Sequence, residues 1–251
     1  MKKILVYLIL IFLSMDLNAA IRIEPKSINE VNGTAIDLGL NFLYSTGNTE
    51  KMVLGSQLKF QYGNSKTYKH LVLFSTSYGE VSDVTNTNKF MVHYRFVHST
   101  PITDLEYELF AQDEYNEFQN LETRALSGIN IKQRLRILNK LFLGGGLMYS
   151  YMVPTEINSK DEIKKRIKGN LFLFATHKFN KYASITYLGF YQPNIKEVSD
   201  FTTFNYLQFD STITKEISFN INIQAHYNST PYENVEKDDI KTTIGISYKI
   251  K

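Results

Sequence analysis

Apolar and polar residues alternate along almost the whole chain from Thr34 onwards. In the clearest run, ISFNINIQAHYN (Ile217 to Asn228), Ile, Phe, Ala and Tyr take every second position and Ser, Asn, Gln and His take the others. A side-chain period of two predicts a β-strand with one apolar and one polar face. The apolar face would meet a core in a soluble sandwich and lipid in a membrane barrel, so the pattern alone leaves both architectures open.

The alternation predicts about twelve strands. Many runs reach about ten residues, which suits a tilted strand crossing a bilayer, whereas strands of soluble proteins more often have about five or six. An even strand number is expected for a bacterial barrel formed by one chain. The predicted strands cover 36–44, 52–62, 70–78, 90–97, 105–112, 122–132, 141–153, 168–177, 183–191, 201–214, 217–228 and 241–250.

The connections between these strands are predicted to alternate in length. Longer ones follow odd-numbered strands, apart from the short turn GNTE at 47–50. With the N-terminus in the periplasm, the long loops would be extracellular and the tight turns periplasmic, as in outer-membrane barrels. A sandwich gives no reason for such an alternation. The predicted long loops lie near 79–89, 114–121, 154–166, 193–200 and 229–239.

The first residues are typical of a secretory signal peptide. Lys2 and Lys3 precede the apolar run Ile4 to Leu13, and small residues follow before a cut after Ala19 or Ala20. The apolar run is shorter than the roughly 20 residues of a transmembrane helix. We therefore predict a signal peptide at 1–19, a short periplasmic segment at 20–33 and a barrel at 34–251, placed in the outer membrane of a Gram-negative bacterium.

Composition narrows the classes further. The chain has no Cys, which excludes a disulfide framework and a lipoprotein anchor. The net charge of +3 comes from 28 basic and 25 acidic residues scattered along the chain, so no nucleic-acid partner is predicted. No later segment is long and apolar enough for a membrane helix, so a membrane protein must here be a β-barrel. Three consecutive glycines, 144–146, lack the Lys-Ser/Thr of a phosphate loop and predict a tight bend or a close approach in a curved sheet.

Three features favour an outward apolar face. The polar face is rich in Gly, Ser, Asn and Gln. The chain ends on an alternating strand of the kind that the outer-membrane assembly machinery reads, although Lys251 follows Ile250 and no Phe closes it. Tyrosines recur near strand ends, as at a lipid–water boundary, although Tyr is common in any strand. The predicted partners are therefore outer-membrane lipid and, through the C-terminal strand, the assembly machinery; the pattern carries no information on oligomeric state. The tyrosines are Tyr44, Tyr62, Tyr78, Tyr149, Tyr151, Tyr191, Tyr227 and Tyr248.

Three segments resemble a family of bacterial outer-membrane proteins called salt-induced outer membrane protein, YdiY-like. They are STGNTE (Ser45 to Glu50), YELFAQDEYNEFQNLETR (Tyr107 to Arg124) and YNSTPYENVEKDD (Tyr227 to Asp239). The similarity spans most of the mature chain, and the middle segment is the most specific. The resemblance implies an outer-membrane barrel of unknown function without established catalytic residues, so none is transferred.

If the polar face lines a lumen, its charges must pair or stay hydrated. We expect Arg95 near Glu106 or Glu108, and Arg124 near Glu114 or Gln112, on neighbouring strands. Such a lining either holds a narrow barrel in register or sets the selectivity of a small-solute channel, and only much larger barrels reliably leave an open pore. The predicted charged lining is Asp37, Lys59, His93, Arg95, Glu106, Glu108, Glu114, Glu122, Arg124 and Lys132.

The predicted function is a structural barrel or a narrow porin-like channel for small solutes, without catalysis and without a cofactor. One alternative is an outer-membrane lipid hydrolase using His226 and Ser229, although no nucleophile motif surrounds them. Another is a soluble periplasmic β-sandwich binding protein. No metal site is predicted, because Glu236 to Asp239 lacks the oxygen spacing and the Gly of a calcium loop.

Overall fold

The computed structural model describes residues 32–45, 51–64, 67–82, 84–100, 104–156, 162–214 and 217–248. The predicted signal peptide at 1–19, residues 20–31 of the predicted periplasmic segment, the GNTE turn and Lys251 lie outside the described residues. The same holds for the side chains of Asp37 and of residues 39–45. The predicted signal peptide and domain boundaries therefore stay predictions.

Twelve antiparallel strands form one sheet in which every strand pairs with its neighbours in the chain, the topology of an up-and-down β-barrel. One turn of 3₁₀ helix, Glu117–Gln119, follows the fifth strand. None of the described helical residues forms a helix long and apolar enough to span a membrane. The strands are β1 (Gly33–Ser45), β2 (Lys51–Asn64), β3 (Tyr68–Val81), β4 (Val84–Ser99), β5 (Leu105–Asn116), β6 (Thr123–Arg134), β7 (Lys140–Val153), β8 (Lys164–Lys178), β9 (Ala183–Asn194), β10 (Glu197–Thr212), β11 (Ile217–Asn228) and β12 (Asp238–Tyr248).

The polar face of the sheet encloses a lumen. Arg124 on β6 and His226 on β11, five strands away in the sheet, line the same cavity. Phe142 of β7 packs in one cluster with Tyr206 of β10. Such contacts between distant strands require a sheet curved round an interior, so the predicted barrel of about twelve strands is confirmed. The alternative of a β-sandwich is wrong, because the strands form one sheet and not two packed ones.

The apolar face points outward. On β6, Ile129 is 59% exposed and Ile131 is 50% exposed, whereas Asn130 and Lys132 between and beside them are 3% and 0% exposed. A soluble domain shows the opposite arrangement, with apolar side chains inside. Four of the predicted boundary tyrosines are also exposed: Tyr62, Tyr78, Tyr149 and Tyr191.

Two of the five predicted long loops are strand instead. β3 continues to Val81 and β4 begins at Val84, while β9 continues to Asn194 and β10 begins at Glu197. The long loops expected near 79–89 and 193–200 are therefore wrong. Polar residues such as Asn and Thr look loop-like in sequence, but antiparallel pairing gives their backbone groups partners at these extended hairpins. Longer connections do follow β5, β7 and β11, at 117–122, 154–163 and 229–237.

The three glycines of β7 provide close approach, as predicted. A Cβ atom at Gly144 would overlap the ring of Phe172, which lies across from it on β8. A Cβ atom at Gly146 would overlap the backbone oxygen of Ile129 and Oδ1 of Asn130 on β6. Inward-facing side chains of β6 and β8 therefore occupy the space over β7.

Candidate functional site: the barrel lumen

A cluster of buried charges lies inside β3 to β6. The Nζ atom of Lys132 is 2.9 Å from Oε2 of Glu106 and 3.5 Å from Oε2 of Glu108. Nη1 of Arg95 is 3.6 Å from the same oxygen of Glu108. Lys69 is also buried and interacts electrostatically with the other four residues. These five residues, here called the ion cluster, therefore contain three cations and two carboxylates.

Strand register brings the ion cluster together. Glu106 lies opposite Lys132 in the pairing of β5 with β6, and Glu108 lies opposite Asn130. Residues two apart share a face of a strand, so Glu106 and Glu108 both point into the lumen. The Arg95–Glu108 ion pair is one of those expected from the sequence. A buried carboxylate needs such partners, because removal from water is otherwise costly.

An apolar cluster lies next to the ion cluster, on β7 to β10. It consists of Phe142, Phe174, Leu188 and Tyr206, with Phe190 and Phe204 against them. Phe142 is 0% exposed, and its ring centroid is 6.0 Å from that of Phe174. Nζ of Lys132 lies 5.7 Å from the centroid of Phe142, which joins the two clusters. Together the ion cluster and the apolar cluster form what we call the floor of the lumen.

The floor lies towards the end of the barrel where even-numbered strands finish, called the even end. Lys132 is near the end of β6, Glu106 near the start of β5, and Phe142 near the start of β7. The opposite end, where odd-numbered strands finish, is called the odd end. It is the end predicted to be extracellular.

A chain of side-chain hydrogen bonds runs along the inner wall from β5 to β10, above the floor. Asn130 donates from Nδ2 to Oε1 of Glu108 over 3.0 Å, and Asn170 donates to Oδ1 of Asn130 over 2.9 Å. Gln192 then donates to Oδ1 of Asn170 over 2.9 Å. The hydroxyl of Thr202 donates to Oε1 of Gln192 over 3.1 Å. We call these residues the amide belt; it passes over β7 at Gly146, where a side chain would block the contact between Asn130 and Asn170.

A cavity of about 960 Å³ lies between the amide belt and the odd end. Its wall contains an ion pair between Arg124 and Glu114, the second pair expected from the sequence. Arg166 and Lys168 of β8 also line it, and so does Phe118 of the 3₁₀ turn, at the odd end. Polar groups, cations and a few aromatic rings thus line one cavity, as they do in ligand pockets.

The connection between β11 and β12 folds inward over one side of this cavity. Tyr232 is buried against Leu121 and Met152. Nζ of Lys164 donates to the backbone oxygen of Thr230 over 3.0 Å and lies 4.2 Å from the centroid of the Tyr232 ring. The β11–β12 connection is therefore held by β8 and by the β5–β6 connection.

Arg166 and Asp200 fasten the same loop. Nε of Arg166 is 2.5 Å from Oδ2 of Asp200, and its Nη2 donates to Oγ1 of Thr230 over 3.0 Å. Thr230 donates in turn to Oδ1 of Asp200 over 2.7 Å. Asp200 thus uses both of its oxygens on the loop and on Arg166.

Sequence comparison places the chain in a family. The family model described as "Protein of unknown function, DUF481" matches residues 36–250. The chain belongs to this family. The match confirms the resemblance to a family of unknown function that was seen in the sequence segments.

Comparison with solved structures and curated proteins adds two findings. A structure described as "NanC porin structure in rhombohedral crystal form" is similar at 12% sequence identity and a TM-score of 0.49, covering 79% of this chain and 94% of that one. No curated protein matches this DUF481 chain.

The ten residues predicted to line the lumen fall into several groups. His93 and four members of the ion cluster (Arg95, Glu106, Glu108 and Lys132) are buried inside the barrel. Glu114 and Arg124 are half-buried in the cavity wall. Lys59 is half-buried, and its Cα lies opposite that of Asp37 in the pairing of β1 with β2.

Glu122 is the exception, and its prediction as a lumen residue is wrong. It is exposed and precedes the first residue of β6, Thr123. The alternation of β6 does not extend back to it, because the chain turns at Asn120, which has a φ of 48°, and then forms a bridge between Asn116 and Leu121. Leu121 is buried there instead.

Several lumen residues were not predicted. Lys69, Asn170, Gln192, Asp200 and the inward cations of β8 all lie inside the barrel. On β8, Lys164, Arg166, Lys168 and Asn170 share one face. That alternation was visible in the sequence, but the strand was predicted to begin only at Lys168, which assigned the first two cations to a loop.

One well-formed ion pair lies outside the strands, at the even end. Arg136, in the β6–β7 turn, donates from Nε to Oδ2 of Asp104 over 2.7 Å and from Nη2 to Oδ1 over 3.1 Å. These two hydrogen bonds hold the pKa of Asp104 below its ordinary value and raise the pKa of Arg136. The pair joins the β4–β5 and β6–β7 turns at the surface and does not touch the lumen.

The residues considered for hydrolysis or metal binding are not arranged for either role in the part of the chain that the structure describes. His226 and Ser229 are not hydrogen-bonded there; Oγ of Ser229 accepts instead from the backbone N–H of Phe201 over 2.7 Å. A catalytic serine needs its base within hydrogen-bond reach. Among the described residues, no group of three or more His, Asp or Glu side chains is placed to hold a metal ion.

Proposed function

We propose that this chain is an outer-membrane β-barrel of a Gram-negative bacterium, with a structural role in the envelope and a lumen closed to ions in its resting state. In this proposal lipid contacts the outward apolar face, and the assembly machinery reads the C-terminal strand. Support for the location comes from the barrel itself. Its outward side chains include many exposed large apolar ones, whereas its charged cluster is buried inside, which suits a hydrocarbon surrounding.

The observation that carries the closed lumen is the packing of the floor. Lys132 of β6 and Phe142 of the neighbouring strand β7 lie where the ion cluster meets the apolar cluster, and both are 0% exposed. Water does not reach either side chain. An ion crosses a pore only when water or protein ligands replace its hydration along the whole path. A dry layer of paired charges and aromatic rings offers no such path.

Planar-bilayer recording of the refolded mature protein tests this proposal. We expect no steady conductance from the wild type. The double variant Phe142→Ala with Phe174→Ala removes two rings from the floor, and we expect it to conduct. The matched control is Phe179→Ala, because Phe179 is an exposed aromatic outside the strands, next to the end of β8.

A different result would favour the second candidate, a narrow channel for small solutes. Discrete conductance from the wild type, altered by Arg95→Ala or Arg124→Ala, would contradict a closed lumen and support passive transport. Absence of conductance from the wild type and from the double variant alike would show that the floor is not what closes the barrel.

A further inference from the structure

Lys168 is a buried cation in the cavity wall without an anionic partner. It is 3% exposed. Its Nζ atom donates one hydrogen bond, to Oγ1 of Thr202 over 3.4 Å. Among the described residues, no carboxylate oxygen lies within the 4.0 Å of an ion pair. Arg124 and Arg166 differ from Lys168, because each has a carboxylate partner. Arg124 pairs with Glu114, and Arg166 pairs with Asp200.

The surroundings of Lys168 add to its positive charge. Arg124, Lys164 and Arg166 are all close enough to repel its ammonium group. Asp200 is the one carboxylate acting on it, but Asp200 already binds Arg166 and Thr230. A buried charge without a partner is strongly unfavourable, whereas a buried charge that meets an anion with good geometry is not. An anion that enters the cavity would supply the partner that Lys168 lacks.

The rest of the cavity can bind hydroxyl groups. A side-chain amide has two N–H donors and an oxygen with two lone pairs. The amide belt uses one donor and one acceptor of Asn170 and of Gln192, so each amide retains further capacity towards the cavity. Phe190 and Phe204 lie beside the belt and offer apolar faces to the carbon skeleton of a ligand.

We infer that this cavity is a binding site for a small polyhydroxylated anion, whose carboxylate or phosphate group contacts Lys168. The volume of about 960 Å³ lies within the range of about 300–1,000 Å³ for small-molecule sites. The hydroxyl groups of the ligand would face the amide belt. The inference goes beyond the proposed closed barrel, because an anion can bind above the floor whether or not the barrel conducts ions.

Isothermal titration of the refolded mature protein in detergent micelles tests the inference. The probes are gluconate, which carries a carboxylate; glucose 6-phosphate, which carries a phosphate; and sorbitol, which is an uncharged polyol. We expect saturable binding of at least one of the two anions, and which one binds more tightly identifies the charged group. Sorbitol should bind at least about tenfold more weakly, as expected for the loss of a charge-assisted hydrogen bond.

The variant Lys168→Met removes the charge and keeps most of the side-chain volume. We expect it to weaken anion binding about tenfold or more, and we expect Lys168→Arg to keep the preference for anions over sorbitol. The matched control is Lys165→Met, on the same strand, because Lys165 is exposed and lies 5.6 Å from the outward ring of Tyr151. This control should bind like the wild type.

The inference fails if neither anion binds saturably, if sorbitol binds as tightly as the anions, or if Lys168→Met binds the anions like the wild type. Folding is not a confounding factor, because loss of an unpaired buried cation should not destabilise the barrel. The titration in micelles does not depend on conductance. A negative titration would therefore leave the proposed closed barrel standing, and conductance by the wild type would leave the proposed anion site standing.

Discussion

The substitution Glu108→Gln removes one negative charge from the ion cluster with almost no change in shape. Glu108 contacts Arg95 at 3.6 Å and Lys132 at 3.5 Å through the same oxygen. The variant leaves three cations, Lys69, Arg95 and Lys132, facing Glu106 alone. Gln keeps an oxygen for the hydrogen bond from Asn130, so the charge is the main quantity that changes.

The expected cost follows from these distances. Two unit charges 4 Å apart attract by about 4 kcal/mol at an effective dielectric constant of 20. Glu108 has two such partners, but the variant no longer removes a carboxylate from water, which offsets part of the loss. Removal of one partner from a buried ion pair typically costs about 3–5 kcal/mol. We therefore expect the free energy of unfolding to fall by about that amount.

The second substitution, Lys132→Met, makes the prediction specific to charge. Alone it leaves two cations and two carboxylates, so we expect a much smaller loss than with Glu108→Gln. Combined with Glu108→Gln it restores the wild-type excess of one positive charge. The double variant should therefore be more stable than the sum of the single effects predicts, with a coupling energy of about 2 kcal/mol.

Urea unfolding of the protein refolded in lipid vesicles measures these free energies. Unfolding is monitored by far-ultraviolet circular dichroism or by the fluorescence of its 17 tyrosines, since the chain has no tryptophan. Asp104→Asn is the control for loss of a carboxylate from a solvent-accessible pair at the even end, where screening by water makes the effect small. A loss below about 1 kcal/mol for Glu108→Gln, or strictly additive effects in the double variant, would refute the electrostatic account of the floor.

Two further outcomes are expected in the same unfolding assay. Gly146→Val should lower the free energy of unfolding by about 1–3 kcal/mol, because the new side chain would displace the Asn130–Asn170 hydrogen bond. Gly145→Ala should lower it less, because position 145 faces outward near a flexible end of Leu171. Equal losses in the two variants would argue against the amide belt. Leu147 lies at an outward position in the middle of β7 and is 52% exposed. Leu147→Arg should lower the free energy of unfolding by about 2–4 kcal/mol in lipid vesicles. Ile137→Arg, in the β6–β7 turn at a position that is 78% exposed, should have little effect. A harmless arginine at position 147 would mean that this face does not contact hydrocarbon.

The sequence predicts the barrel well because the alternation is a local property. Neighbouring residues of one strand point to opposite faces whatever the rest of the chain does, so Ile129 and Lys132 could be assigned to opposite sides from the sequence. The same local rule, combined with antiparallel neighbours, predicts the Arg95–Glu108 and Arg124–Glu114 pairs. It fails at Glu122, where a turn at Asn120 interrupts the alternation.

The floor and the cavity could not be predicted in the same way, because they depend on contacts between strands far apart in the sheet. Phe142 and Phe174 have the parity of inward positions, but alternation within a strand does not show that their rings pack together. Asn130 reaches Asn170 only because Gly146 lies between them on β7. Which aromatic side chains fill a lumen is decided by how the sheet curves, and no pattern within one strand contains that information.

Glu108 links the floor to the cavity through its two oxygens. Oε2 belongs to the ion cluster, while Oε1 accepts the hydrogen bond that begins the amide belt. The belt is thus both the top of the closed layer and the bottom of the cavity. A barrel with a water-filled lumen would hydrate these amides separately. Here the hydrogen bonds of the belt fix Asn130, Asn170 and Gln192 relative to one another, so their amides form a preorganised polar surface towards the cavity.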